Sequence, residues 1–229
     1  MNEDGVRQEA AKSFPALYPI LDAELVLRDY DKGAEERRHK LRQLVRELAE
    51  AGVEILQYRN KRDDDGLVLE DARAMRAEAP GLRLILNDRP ALVAEARWDG
   101  VHVGQEDLAA GRARALVGGA AIVGLSTHNE AQVIAADREP VDYIAIGPVF
   151  ATATKADTSP VIGIEGVARA RALTKKPLVA IGGVTQETAR AVCEAGADGV
   201  AVIAAIFGVD GERGRSEAQR ARDFLVLFK

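Results

Sequence analysis

Residues 82–104 read LRLILNDRPALVAEARWDGVHVG, two short apolar runs separated by a stretch of helix-forming residues. The first run, 82 to 88, is almost continuous in Leu and Ile and then breaks into Asn87 and Asp88, with Arg89 and Pro90 behind them. The second, 99 to 104, starts at Asp99, directly after Trp98. Near-continuous apolar runs of this length suit strands covered on both faces, and two of them joined through a helix make a βαβ unit of a parallel sheet. How often that unit recurs decides the fold.

It recurs along the whole chain. Strand-like runs are expected at 17–22, 53–59, 82–88, 99–104, 121–126, 141–147, 177–183 and 198–203. The stretches AGVEILQ at 51, ARWDGVHV at 96, EPVDYIAI at 139 and AGADGVAV at 195 each end a helix, turn, supply an acidic residue and begin a strand, an internal repeat suited to closure. Between the first two strands, Leu41, Leu44, Val45 and Leu48 fall at i, i+3, i+4 and i+7 among charges, one apolar stripe of a barrel-side helix. Thr185 suits the N-cap of TQETARAVCEAG, and Gly196 its left-handed stop. The expected fold is a single α/β (β/α)8 TIM barrel over 15–229, preceded by a polar extension over 1–14. An open doubly wound sheet is the alternative; against it, DAELVLRDYDKG rather than a G-x-G-x-x-G follows the first strand.

Bulk composition narrows the partners. The 229 residues are 47% hydrophobic and 29% charged, an ordinary globular mixture. A net charge of -5 excludes a general nucleic-acid or anionic-membrane surface, which needs a dense excess of Lys and Arg. The polar first residues contain no apolar leader, and no run approaches the roughly 18 apolar residues of a membrane span, so a cytoplasmic protein is expected. Cys193 is the single cysteine, which rules out an intrachain disulfide and reads as a small buried residue on a helix. The sequence leaves the oligomeric state open, a homo-oligomer included.

In such a barrel the C-terminal strand ends form the active face. There the sequence collects Gln57, Arg59 and Lys61 after strand two, Asn87 and Asp88 after three, Gln105, Glu106 and Asp107 after four, and Ser126, Thr127 and His128 after five. The loop PVFATATKADTSP after strand six adds Thr152, Thr154 and Lys155. Asp88 and Asp107, from neighbouring strand ends, suit a hard divalent cation such as Mg2+, although either one alone also suits a helix cap. Arg59, Lys61 and Lys155 suit a diphosphate, although Lys and Arg are more often a solvated face. Gly182 and Gly183, with the small residues after strand eight, stand where barrels often hold a phosphate through backbone N–H groups, or they are a tight turn. Two anion sites of different character imply two phosphorylated substrates. His39 reads as an exposed helix flank, His102 as a satisfied barrel histidine, and His128 as either an acid/base group or a cap.

Several blocks together resemble the thiamine phosphate synthases: ILQYRNK, LILNDRPALVAEARWDGVHVGQEDL, VGLSTHNEAQVIAA, DYIAIGPVFATATKAD and VAIGGVTQETARAVCEAGADGVAVIAAIF. The resemblance spans nearly the whole chain. It implies an enzyme of thiamine biosynthesis, a transferase that joins 4-amino-2-methyl-5-(hydroxymethyl)pyrimidine diphosphate to hydroxyethylthiazole phosphate or its carboxylated form, releasing diphosphate in a Mg2+-assisted dissociative substitution. By the same resemblance, Gln57, Asn87 and Ser126 contact the pyrimidine substrate with Arg59, Lys61 and Lys155. Asp88 and Asp107 hold Mg2+, and Thr152, Thr154 and Gly183 hold the thiazole phosphate. After strand eight the family carries a small hydroxyl residue where this chain has Ala204, which leaves the backbone around Ile203 and Ala204 to serve. The rival readings are a thiazole tautomerase using His128, which has no use for the charged clamp, and a non-catalytic barrel that binds thiamine precursors.

Overall fold

A computed structural model of the chain describes residues 14–27, 33–62, 64–152, 159–208 and 214–228. Eight parallel strands close into a barrel in sequence order: β1 Leu17–Asp22, β2 Ile55–Arg59, β3 Arg83–Asn87, β4 Gly100–Val103, β5 Ile122–Thr127, β6 Tyr143–Ile146, β7 Leu178–Ile181 and β8 Gly199–Val202. Closure is made by β1, which pairs with β2 at Ile20 opposite Gln57 and with β8 at Tyr18 opposite Ala201. Every expected run contains a strand. The strands are shorter at several C-terminal ends because the chain turns there: Asp88 leaves β3 at φ 61°, and Gly182 leaves β7 at φ 100°.

The strands are joined by α1 Ala34–Glu50, α2 Asp65–Glu78, α3 Val93–Ala96, α4 Ala110–Val117, α5 Glu130–Asp137, α6 Gly163–Leu173 and α7 Gln186–Glu194, with α8 Glu217–Val226 after β8. Short helices at Ala23–Val26 and Ala204–Phe207 follow β1 and β8. The stripe Leu41, Leu44, Val45 and Leu48 on α1 is fully buried against the barrel. Thr185 is the N-cap of α7, its amide donating to Thr188 Oγ1 at 3.0 Å, and Gly196 takes φ 112° just past the helix end. The link from β3 to β4 is the most compressed: a 3-10 turn, Pro90–Leu92, runs into a single turn of α3 that stops at Arg97 in the left-handed region, φ 56°.

The repeated acidic residue before a strand fastens the barrel's N-terminal end. Asp99 Oδ2 accepts the Leu84 amide at 2.7 Å, Asp142 Oδ2 that of Val123 at 2.7 Å, and Asp198 Oδ2 that of Leu178 at 2.7 Å. Each carboxylate also meets an arginine from the helix preceding the strand it caps, Arg76, Arg114 and Arg171 respectively. Those guanidiniums collect turn carbonyls as well, such as Leu82 and Gly118 at 2.9 Å from Arg76 and Arg114. Strand starts that would otherwise bury open N–H groups are thereby satisfied. Glu54, in the fourth copy of the repeat, instead pairs with Arg83 on β3 at 3.1 Å.

Inside the barrel, Tyr18, Ile20, Ile55, Ile85, Tyr143, Ala145, Val179, Ala201 and Ile203 form their own packed cluster, distinct from the larger one between strands and helices. Phe14, the last residue of the expected extension, packs beneath it, 4.9 Å from the Tyr143 ring and 5.7 Å from Tyr18. The rest of that extension, 1–13, lies outside the described residues. No described helix is long and apolar enough to cross a membrane.

Candidate active site

At the C-terminal strand ends a cleft is lined by Arg59, Lys61, Asn87, Asp88, His102, Gln105, Glu106, Asp107, Ser126 and His128, with Gly104, Gln132 and Ser159. The clamp expected from the sequence therefore converges from β2 to β5, apart from Lys155 and Thr154, which lie outside the described residues. Asp88 reaches the cleft by breaking strand alternation. Its left-handed backbone, tied by its own amide to His102 O at 2.8 Å, lets it share the mouth with its neighbour Asn87. A non-glycine residue held there stores about 1–3 kcal/mol and is a feature of functional sites. Neither aspartate caps a helix. The 3-10 turn after β3 has Arg89 at its N-cap, and α4 has Ala109, while Asp107 Oδ2 accepts the Gly104 amide at 2.8 Å.

The two carboxylates stand close enough to shift each other's ionisation in opposite directions. Burial, with the adjacent charge of Asp107, raises Asp88 above the ordinary carboxylate range, against the pull of Lys61. Burial also opposes ionisation of Asp107, yet the neighbouring Asp88 and the bond from the Gly104 amide hold it below that range. Lys61 Nζ is ion-paired with Asp88, and Asn87 Nδ2 donates to the same carboxylate. The described cleft thus sets Arg59 and Lys61, each already paired with a carboxylate, beside Asp88, Glu106 and Asp107. A diphosphate placed beside these acids requires added positive charge. Two adjacent carboxylates fit Mg2+, which keeps much of its shell for water and phosphate oxygens.

Some of the machinery lies beneath the surface. Asp22, at the end of β1, is buried and ion-paired with Arg59, while its Oδ1 accepts the Glu24 amide at 3.0 Å. That pairing fixes the guanidinium at the cleft wall. Gln57 does not line the cleft; it is 2% exposed, and its Nε2 donates to Tyr18 OH at 3.1 Å. From there the bonds continue through Tyr143 OH, 2.9 Å away, to His102 Nδ1 at 2.8 Å, and from His102 Nε2 to Ser126 Oγ at 2.8 Å. Burial raises both tyrosines well above their ordinary range, so they act as neutral hydroxyls. His102 is the satisfied barrel histidine expected, with the addition that one face reaches the cleft. His128 also reaches it, its Nδ1 2.8 Å from Gly147 O, but the cap of α5 is Asn129, whose Oδ1 accepts the Gln132 amide at 3.0 Å. Thr127 turns away and donates to Ala145 O at 2.8 Å.

Beside the charged cleft is a neutral pocket lined by Thr152, Ile181, Gly182, Gly183, Val184 and residues 201–205. It brings together Thr152, Gly183, Ile203 and Ala204, as expected. A Cβ on Gly183, φ 63°, would stand 2.6 Å from Ala151 O, so this turn is built for glycine. The leading amides of the helix Ala204–Phe207 have no partner within that helix and face the end where an anion is favoured. Asp22 and the buried tyrosines went unread in the sequence; for Asp22 the available signal was an acid ending an otherwise apolar strand.

A closed (β/α)8 barrel with a charged cleft and a glycine-turned pocket at its C-terminal mouth has the layout of a barrel enzyme. The chain belongs to the thiamine monophosphate synthase family, whose model matches residues 26–206, and it is a transferase of thiamine biosynthesis. It is 46% identical to a thiamine-phosphate synthase of Koribacter versatilis over 93% of this chain and 96% of that one, and 36% identical to one of Chloroflexus aurantiacus over 90% and 91%. Among solved structures, thiamine phosphate pyrophosphorylase of Pyrococcus furiosus is similar at 27% identity and TM-score 0.75, covering 92% of this chain and 94% of that one.

Proposed function

We propose that the barrel mouth carries out the condensation of 4-amino-2-methyl-5-(hydroxymethyl)pyrimidine diphosphate with hydroxyethylthiazole phosphate, giving thiamine phosphate and diphosphate, or with its carboxylated form, giving CO2 as well. The observation that carries this reading is the pairing of two unlike anion sites on one face: a charged cleft with adjacent carboxylates, and a neutral pocket turned by Gly182 and Gly183. Asp88 and Asp107 would hold Mg2+, which supplies positive charge to the departing diphosphate oxygens.

Arg59, fixed by Asp22, and Lys61, together with Lys155 of the stretch after β6, stabilise the charge that develops as the C–O bond breaks and its electron pair leaves with the diphosphate. The Lys61 ammonium, ion-paired with Asp88, exchanges that partner for a phosphate oxygen. Asn87 and Ser126 orient the pyrimidine, and Gln57 acts from below through the buried hydroxyls. The electron-rich pyrimidine carries the resulting cation, and the thiazole nitrogen lone pair forms the new C–N bond. No general base is needed. Thr152, Thr154 and the backbone at Gly183, Ile203 and Ala204 hold the thiazole phosphate, which positions that nitrogen. Mixing the purified protein with both substrates and Mg2+ is expected to give thiamine phosphate and diphosphate in equal amounts; no product would refute the reading.

A further inference from the structure

Arg89 plays no part in the reaction as proposed, yet it has the most structured surroundings of any arginine near the mouth. Its guanidinium spends two nitrogens on the loop between β2 and α2 and the third on the first residue of α2. Nη1 donates to Asn60 O at 2.7 Å, Nη2 to Arg62 O at 2.5 Å, and Nε to Asp65 Oδ1 at 2.7 Å. The side chain is 16% exposed, so the fork is largely withdrawn from water. The two carbonyls it grips belong to the residues on either side of Lys61. From the inner side, Asn60 is buried: its Nδ2 donates to Tyr58 OH at 3.1 Å, and its Oδ1 accepts the Arg62 amide at 3.0 Å. Tyr58 OH in turn donates to Asp71 Oδ2 at 2.6 Å, and Asp71 is held by Arg37 at 3.0 Å.

The backbone around Lys61 is therefore held on both sides, and by atoms that do not include the Lys61 ammonium. Asp88 takes that ammonium and Arg89 the flanking carbonyls, so consecutive residues at the end of β3 grip the same residue of the neighbouring loop in two independent ways. Only the first grip is exchangeable. A planar fork with fixed donor directions suits the second, and a lysine ammonium cannot reproduce it.

We propose that Arg89 is a positioning residue for Lys61: it locks the β2–α2 loop against β3, so that the ammonium stays at the cleft while its partner changes from Asp88 to the substrate diphosphate. This rests on the proposed condensation for its kinetic consequence, and on the geometry alone for its effect on the loop. The kinetic test is a double-mutant cycle on kcat/KM for the pyrimidine diphosphate. Arg89→Ala is expected to lower kcat/KM by up to about 100-fold, the scale of a misplaced catalytic group, and to add less than about threefold in a Lys61→Ala background. KM for the thiazole phosphate should stay within about twofold, since the Arg89 bonds among the described residues all run to the β2–α2 side. Arg89→Lys, which keeps charge and stem, should resemble Arg89→Ala, and it serves where the alanine variant does not fold. The loop test is amide hydrogen exchange, with residues 60–62 expected to exchange at least about 10-fold faster in the variant while the strands keep their protection. Effects of Arg89→Ala and Lys61→Ala that multiply, a rise in KM for the thiazole phosphate well beyond twofold, or unchanged exchange at 60–62 would overturn the proposal. Absent turnover in the wild-type protein would refute the condensation and leave the exchange result to judge Arg89.

Discussion

His102 and Ser126 meet through Nε2 and Oγ at 2.8 Å, and this contact is the outer end of a buried run of hydrogen bonds that crosses the barrel to Gln57. Because the Gln57 amide donates into Tyr18, one direction of donors satisfies the run: Tyr18 to Tyr143, Tyr143 to His102 Nδ1, and His102 Nε2–H to Ser126, leaving the serine proton to point at a substrate. The space for Tyr143 depends on a missing side chain, since a Cβ on Gly124 would fall 2.1 Å from the Tyr143 ring. Gly124→Ala is expected to displace that ring, destabilise the fold by about 1–3 kcal/mol, and raise KM for the pyrimidine diphosphate more than KM for the thiazole phosphate. Denaturant unfolding and steady-state kinetics read both; equal effects on the two substrates would show that the run does not orient Ser126.

The opposite end of the barrel should behave differently. Asp142→Ala removes the acceptor of the Val123 amide and the partner of Arg114, which should cost about 1–3 kcal/mol. The urea midpoint should fall with the slope unchanged, while kcat/KM stays as it was. A large loss of activity at unchanged stability would contradict the division between a fastening end and a chemical end.

Ala204 stands where the thiamine phosphate synthases that this chain resembles carry a small hydroxyl. With Ala204 lining the neutral pocket, Ala204→Ser adds a donor to a charged ligand, a contribution of about 1.5–3 kcal/mol where geometry allows. KM for the thiazole phosphate should fall by roughly 10-fold, with KM for the pyrimidine diphosphate unchanged. Unchanged KM for the thiazole phosphate would remove residue 204 from that site.

Burial, with Asp198 and Glu194 nearby, pushes the Cys193 thiol up to about 11. A pKa raised from 9.0 by that amount makes the thiolate about 100-fold scarcer at pH 8, so iodoacetamide should label the folded protein at least that much more slowly than the urea-unfolded chain. The sign for stability follows from the same shift: the contribution is fully present below pH 9 and is lost as pH rises through about 11. Cys193→Ala should flatten that alkaline decline.

Much of this was legible in the sequence because it is local. Continuous apolar runs gave all eight strands, the i, i+3, i+4, i+7 stripe gave the buried face of α1, and the repeated acid before a strand marked positions that turn out to fasten the barrel. Polar residues at strand ends gave Arg59, Lys61, Asn87, Asp88, Asp107 and Ser126 as one group, since in a closed barrel neighbouring strand ends are neighbours in space. Contacts set by side-chain reach were not legible. Arg89 reads in sequence as the start of the next helix, and only the fold shows its guanidinium crossing to the carbonyls around Lys61. Tyr18 and Tyr143 lie 125 residues apart, and nothing in either strand announces that their hydroxyls meet. Asp88 and Asp107 left capping open until the left-handed backbone of Asp88 and the Gly104 contact of Asp107 excluded it.

The central claim is that Asp88 and Asp107 form the Mg2+ seat from which the diphosphate departs. It is tested most directly by the initial rate of thiamine phosphate formation against Mg2+ concentration in the wild-type protein and in Asp88→Ala. The expected result is a wild-type rate that saturates with Mg2+, vanishes on chelation and returns on re-addition, with Asp88→Ala lower by at least about 100-fold, the scale of lost charge stabilisation at a reacting oxygen. A wild-type Mg2+ curve in Asp88→Ala, or full turnover under chelation, would contradict it.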